Sequence, residues 1–115
     1  MRNDKENVIV DKSFQFALGI IKFSEKLEEE KKYIVARQIL KSGTSIGANI
    51  KEAQNAESKA DFIHKMKLAA KEADETDYWL HLCRLAENYP YDESLHINLA
   101  ELLKILSRII STSKQ

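Results

Sequence analysis

Ser42-Gly-Thr-Ser-Ile-Gly-Ala-Asn49 holds seven small residues out of eight and two of the chain's three glycines. Read as a loop, it would divide the chain; read as helix, it joins its flanks into one long element. The flanks favour helix. Upstream, Tyr33-Ile-Val-Ala-Arg-Gln-Ile-Leu40 places Val35, Ala36, Ile39 and Leu40 on one face, and downstream Ile50, Ala53 and Gln54 continue it. At helical periodicity Ala36, Ile39, Gly43, Ile46, Gly47 and Ile50 fall within an arc of about 100°. The pattern therefore predicts a helix over residues 31–56. Two mid-helix glycines cost about 2 kcal/mol relative to alanine, so Gly43, Ile46, Gly47 and Ile50 are expected to form a waist where a neighbouring helix approaches closely.

Outward from this stretch the rest of the chain also reads as helix. Residues 1–10 form a polar tail, and residues 11–115 a single domain long enough to bury its own core. Asp11 or Ser13 is placed to cap a first helix, in which Phe16, Ile20, Phe23 and Leu27 make one ridge and Phe14, Ala17 and Ile21 its neighbour. The first turn is placed in the apolar gap between Leu27 and Tyr33. Ser58-Lys-Ala-Asp61 resembles a capping box. It opens a third helix with Phe62, Met66, Ala69, Ala73, Thr76, Leu80 and Cys83 at regular spacing, and Leu68, Trp79, Leu82 and Ala86 widening that stripe. In Asn88-Tyr-Pro-Tyr-Asp92, Asn88 suits a left-handed helix end, Pro90 forbids continuation and Asp92 suits the next cap. Leu95, Leu99, Leu102, Leu103, Leu106, Ile109 and Ile110 mark the fourth helix. Four amphipathic helices with short connections predict an all-α, antiparallel up-down-up-down four-helix bundle.

Composition narrows the function classes. Eighteen basic and eighteen acidic residues cancel, so no global field draws the chain to nucleic acid or membrane. Locally, residues 31–60 hold six basic side chains against two acidic ones. Among them Lys31, Lys32, Arg37, Lys41 and Lys51 are the candidate nucleic-acid contacts. No run approaches the roughly 20 apolar residues of a membrane span, and the start of the chain has no apolar signal core, so the expected compartment is the cytoplasm. The single cysteine, Cys83, sits at the helical spacing of a buried small hydrophobe.

Catalytic and cofactor motifs were sought in the same residues. Gly43-Thr-Ser-Ile-Gly47 is no phosphate loop: three residues separate the glycines instead of four, Ala48 stands where lysine is required, and no strand precedes it. Glu93-Ser-Leu-His96 and the near match Asp61-Phe-Ile-His64 have the spacing of bundle metal ligands. Each opens its helix, so in an antiparallel bundle they lie about 30 Å apart and share no ion. Glu72 and Glu75 read as partners of Lys65 and Lys71 or of another subunit, rather than as an acid–base pair. His81 falls with Asp77 and Arg84 on a polar side. No catalytic, cofactor-binding or metal residue, and no small-molecule substrate, is expected.

The segments Arg37-Gln-Ile-Leu-Lys-Ser-Gly-Thr-Ser-Ile-Gly-Ala-Asn-Ile-Lys-Glu-Ala53, Ser58-Lys-Ala-Asp-Phe-Ile63, Lys71-Glu-Ala-Asp-Glu-Thr76 and Trp79-Leu80 together resemble a bacterial family. It is that of the four-helix-bundle proteins first noted as reading frames inside intervening sequences of 23S ribosomal RNA genes. The resemblance covers nearly the whole chain and implies a ring of five subunits without catalytic residues or cofactor. The chain is also similar to the accessory protein of diversity-generating retroelements, a bundle that works beside a reverse transcriptase and binds nucleic acid. Its zero net charge separates it from that strongly basic relative. The residues independently suggest self-association. On the side of the second helix away from the core, Ile34, Ser45 and Ala48 are too small or apolar for a face that meets only water, and Glu52 lies one turn on. Phe14, Phe16, Ile20 and Phe23 of the first helix are too many for one core. The expectation is a homo-oligomeric scaffold, a pentamer by resemblance, linked to ribosomal RNA. The alternative is a nucleic-acid-binding accessory module with weak RNA or DNA contacts, acting with an RNA-processing or reverse-transcriptase partner.

Overall fold

A computed structural model describes residues 7–114. Four helices follow one another: α1 (Val8–Glu29), α2 (Tyr33–Ala53), α3 (Lys59–Leu85) and α4 (Glu93–Ser113). α2 runs unbroken through the small-residue stretch, as its flanks predict, but is shorter at both ends than residues 31–56. α1 begins at Val8 with Ile9 already buried. Neither Asp11 nor Ser13 caps it. Ser13 lies inside the helix, where its hydroxyl donates to the Val10 carbonyl at 3.0 Å. Residues 1–6 of the expected tail lie outside the described residues.

Three of the helix boundaries have an identifiable chemical cause: the end of α1 and the starts of α3 and α4. At the α1–α2 turn Lys31 takes a left-handed conformation (φ 65°). The Lys32 N–H then donates to the Leu27 carbonyl at 2.8 Å and the Lys31 N–H to the Glu28 carbonyl at 2.9 Å. This is the Schellman arrangement, built on a lysine where glycine is usual. The Ser58 hydroxyl accepts from the Asp61 N–H at 3.0 Å, and the Asp61 carboxylate accepts from the Glu57 N–H at 3.2 Å, a close variant of the reciprocal capping box. Asp92 caps α4, as expected from the sequence. Asn88 is left-handed (φ 64°) but does not end α3, which stops at Leu85 with Ala86 extended; Asn88 shapes the turn beyond it.

Sequential helices pack against each other, α4 closes on α1, and neighbours run antiparallel. On the α1–α2 seam, Gly47 faces Ser13 and Gly43 faces Ile20, so one register climbs as the other descends. On the α2–α3 seam the pairs are Ser42 with Thr76 and Glu52 with Lys65. The core holds Ile20, Leu27, Ile39, Ile46, Ile50, Met66, Leu80, Leu99 and Leu106 without exposure. Phe16 and Phe23 are buried with them, so of the four large α1 residues expected to overfill one core only Phe14 is left out. Leu82 and Ala86 likewise lie on the surface instead of widening the buried stripe of α3.

The waist makes close packing against α1 feasible. A Cβ on Gly43 would come within 2.7 Å of Ile20 Cγ1. Gly47, half-buried, stands at the edge of the core rather than inside it; its Cβ would meet the Ser13 carbonyl and hydroxyl at 3.4 Å. Across the other seam the buried Thr76 and Ser42 hydroxyls lie 2.8 Å apart, and Thr76 Oγ1 is also 2.8 Å from the Glu72 carbonyl. A single Thr76 proton serves one of these contacts, so Ser42 donates to Thr76 while Thr76 donates to its own backbone.

Candidate assembly surface

Between α1 and α2 the bundle carries an open groove of about 700 Å³ on its outer side. Val10, Phe14, Ala17, Leu18 and Ile21 form the α1 wall; Thr44, Gly47 and Ala48 form the α2 wall, with Lys51 at one end. Phe14 is 60% exposed, although large aromatics are normally the first residues a core takes in. The Thr44 hydroxyl of the α2 wall, and that of Ser45 next to it outside the groove, turn back on their own helix. Thr44 donates to the Leu40 carbonyl at 2.7 Å and Ser45 to the Lys41 carbonyl at 2.6 Å. Their donors are thereby used inside α2, and the surface they present outward is mainly methyl and methylene. The groove is thus mainly apolar, with Asn7, Asp11 and Ser13 as polar members of its α1 side.

The residues expected at an oligomer interface lie on this side of α2 and outward from it. Ile34 is 74% exposed, Ala48 and Glu52 are exposed, and Ser45 is half-buried. Glu52 accepts from Lys65 Nζ at 2.9 Å across the α2–α3 seam, so Lys65 partners Glu52 and not Glu72. This hydrogen bond, with the Glu52 charge, holds the Lys65 ammonium above its usual pKa.

The basic candidates divide into two sets. Arg37, Lys41 and Lys51 are exposed along the outer face of α2 beside the groove. Lys31 and Lys32 sit at the turn, where Lys32 Nζ lies 4.7 Å from the centre of the Tyr89 ring and ties that turn to the α3–α4 connection. The five do not form one patch.

A polar chain invisible to sequence reasoning closes the α3–α4 end. His96 Nε2 lies 2.7 Å from Asp77 Oδ1, and His96 Nδ1 lies 2.7 Å from the Tyr91 hydroxyl. A carboxylate only accepts, so Nε2 donates to Asp77, which leaves Nδ1 as the ring nitrogen that meets the Tyr91 hydroxyl. Asp77 is thus engaged with His96 across the α3–α4 seam. The contact also places His64 and His96 about 20 Å apart, from the 13 residues between His64 and Asp77, and not 30 Å; α3 overruns the start of α4. Among the described residues no three His, Cys, Asp or Glu side chains gather as metal ligands would. Glu75 accepts from Trp79 Nε1 at 3.1 Å. Burial pushes the Cys83 thiol up to about 11, which leaves it a packing group at neutral pH.

Phe14, Leu18 and Ile21 repeat at helical spacing, a signal that could have marked the groove's α1 wall in advance. No helix of the described residues is long and apolar enough to cross a membrane. Comparison with curated proteins finds no match. Among solved structures, the chain is similar to a protein of unknown function from Bacteroides thetaiotaomicron, assigned to the S23 ribosomal protein family. The two share 46% identity over 90% of this chain and 98% of that one, with a TM-score of 0.85. Residues 5–112 match the family described as 23S rRNA-intervening sequence protein. With that match spanning almost the whole bundle, the chain belongs to the 23S rRNA-intervening sequence protein family.

Proposed function

We propose that the protein is a non-enzymatic, cytoplasmic, self-associating helical scaffold with a ribosomal-RNA-linked role, in which α2 and its groove form the contact between subunits. The observation that carries this reading is the groove itself, an apolar channel whose hydroxyls are turned inward and whose largest side chain, Phe14, is mostly exposed. Water is a poor occupant for such a surface, and a second subunit is a good one. The pentameric ring suggested by the family resemblance requires two different patches on each subunit.

Light scattering tests the reading. The wild type at micromolar concentration should have a mass several times that of one chain, five times for a pentamer. Ala48→Arg, which sets a charge in the groove wall, should yield smaller particles with unchanged helicity. A monomeric wild type, or an Ala48→Arg variant of unchanged mass, rejects the proposal.

A nucleic-acid-binding accessory role is the second reading, favoured by the exposed line of Arg37, Lys41 and Lys51 on α2. Three charges per subunit support weak, salt-sensitive binding rather than sequence-selective recognition.

A further inference from the structure

A closed ring restricts which surface can meet the groove. Copies related by rotation about an axis along the bundle keep every residue at its own level, so the two faces in contact must share a level in one chain. Faces at different levels would climb into an open filament. Contacts inside the bundle fix the levels. Gly19 faces Leu95, and one depression joins Asp11, Gln15 and Phe16 to Asn98, Glu101 and Leu102. Ile97 and Ala100 of α4 therefore stand level with Phe14 and Ala17 of the groove. Ala48 stands there too, since Gly47 faces Ser13. With Glu93 and Lys104, Ile97 and Ala100 form the outer ridge of α4, opposite the buried Leu95, Leu99, Leu102 and Leu106; Ile97 is 54% exposed. The exposed Leu82 and Leu85 of α3 do not meet this condition. Asp77 is level with His96, which puts them about 8 and 12 Å beyond His96, towards the α1–α2 turn.

We infer that the outer ridge of α4 of one copy docks in the α1–α2 groove of the next. The inference rests on the self-association proposed above and adds which two faces meet and in which direction. α2 and α4 lie diagonally across the bundle and run the same way, so the groove and the ridge are on different faces and no copy has to be inverted. Rotation also preserves the order of the helices around the bundle. α3 of the docking copy therefore falls on the α2 side of the groove. The hollow between α3 and α4, about 320 Å³ and lined by Glu93, His96, Ile97 and Ala100 among others, then receives the small outer residues Ser45 and Ala48. Charge agrees with this direction without having to select it. Glu93 comes level with Lys41 and Lys104 with Asp11, although Lys51 beside Asp11 subtracts from the second pairing. Reversed, Lys104 would face Lys41 and Glu93 would face Asp11, with only Lys51 in its favour.

Cysteine pairs test the contact in the assembled protein. With Ala48→Cys and Ala100→Cys on the same chain, a short bismaleimide should join chains into a covalent ladder that ends at the ring. Either substitution alone should leave single chains, because Cys83 is buried. Ala48→Cys combined with Leu85→Cys should stay unlinked as well. Ile97→Asp, at a site exposed in the single chain, should remain helical by circular dichroism. It should weaken assembly at least about tenfold, since the contact would bury an unpaired charge. If light scattering shows the wild type assembled but the Ala48 and Ala100 pair gives no ladder, or Ile97→Asp keeps the wild-type mass, self-association stands and this pairing is wrong. Linked dimers from one substitution alone would show that like faces meet, and a ladder from Ala48 with Leu85 would move the contact to α3; either result overturns the pairing. A monomeric wild type removes the self-association reading itself, and the pairing with it.

Discussion

Lys31 holds a left-handed backbone conformation (φ 65°) that a side chain disfavours by about 1 kcal/mol. The Schellman hydrogen bonds at the end of α1 nevertheless require that conformation. Lys31→Gly should therefore stabilise the protein by about 1 kcal/mol, seen as a rise of about 4 °C in Tm. The two waist glycines should respond to alanine in opposite directions. At both, alanine gains about 1 kcal/mol of helix propensity. At Gly43 the new methyl would meet the fully buried Ile20 at 2.7 Å, an overlap that costs about 1–3 kcal/mol, so Gly43→Ala should be net destabilising. At Gly47 the nearest atoms lie at 3.4 Å, so Gly47→Ala should be neutral or more stable by up to about 1 kcal/mol. Denaturant melts of the two variants check this. Equal effects would mean that the waist does not approach α1 more closely at Gly43 than at Gly47.

At the scale of elements, the helices were legible where a short-range chemical signal exists. Ser58 and Asp92 each act locally, and α3 and α4 begin where those residues say, whereas α3 stops at Leu85, three residues before Asn88. The α1–α2 turn was legible only as an apolar gap, because Lys31 is not a residue type that announces a left-handed cap. The start of α1 was missed because no side chain caps it; Asn7 at that position makes no capping hydrogen bond. The Asp77–His96–Tyr91 chain depends on how far α3 overruns α4, a tertiary length that periodicity does not report. The outer position of Ser45 and Ala48 on α2 was legible from helical spacing, whereas the exposed Tyr78, Leu82 and Leu85 of α3 were masked by its regular inner stripe. The Asp92 cap can be tested directly. Burial alone would raise its carboxyl pKa, but hydrogen bonds from the Leu95 N–H and from Ser94, with Lys26 nearby, outweigh that and hold it below the usual carboxylate value. A lowered folded pKa means stability that is present above the ordinary carboxylate pKa and lost as pH falls through the folded one. Asp92→Ala should cost about 1 kcal/mol at neutral pH. The gap from wild type should narrow as pH falls below about 4. A gap independent of pH would show that the carboxylate charge contributes nothing to the cap.

At the scale of the whole molecule, charge decides between scaffold and nucleic-acid binder. Net charge is zero, so attraction to a polyanion has to come from a local surface. The local surface is the line of Arg37, Lys41 and Lys51, since Lys32 is engaged with Tyr89 at the end of the bundle. Three phosphate contacts release three counterions. Raising salt from about 50 to about 200 mM should then weaken duplex binding about 40-fold, and single-strand binding about 20-fold. Anisotropy titrations with labelled 23S-derived RNA should therefore show weak binding at low salt, little dependence on sequence, and none measurable at about 200 mM. Self-association through α2 and its groove would crowd the line of Arg37, Lys41 and Lys51, so the Phe14→Asp variant, in which that contact is broken, should bind RNA more tightly than the wild type at the same salt. Submicromolar, sequence-selective binding that persists at about 200 mM would overturn the scaffold reading in favour of the accessory module. Identical RNA affinity for wild type and Phe14→Asp would show that assembly and the basic face of α2 do not share a surface.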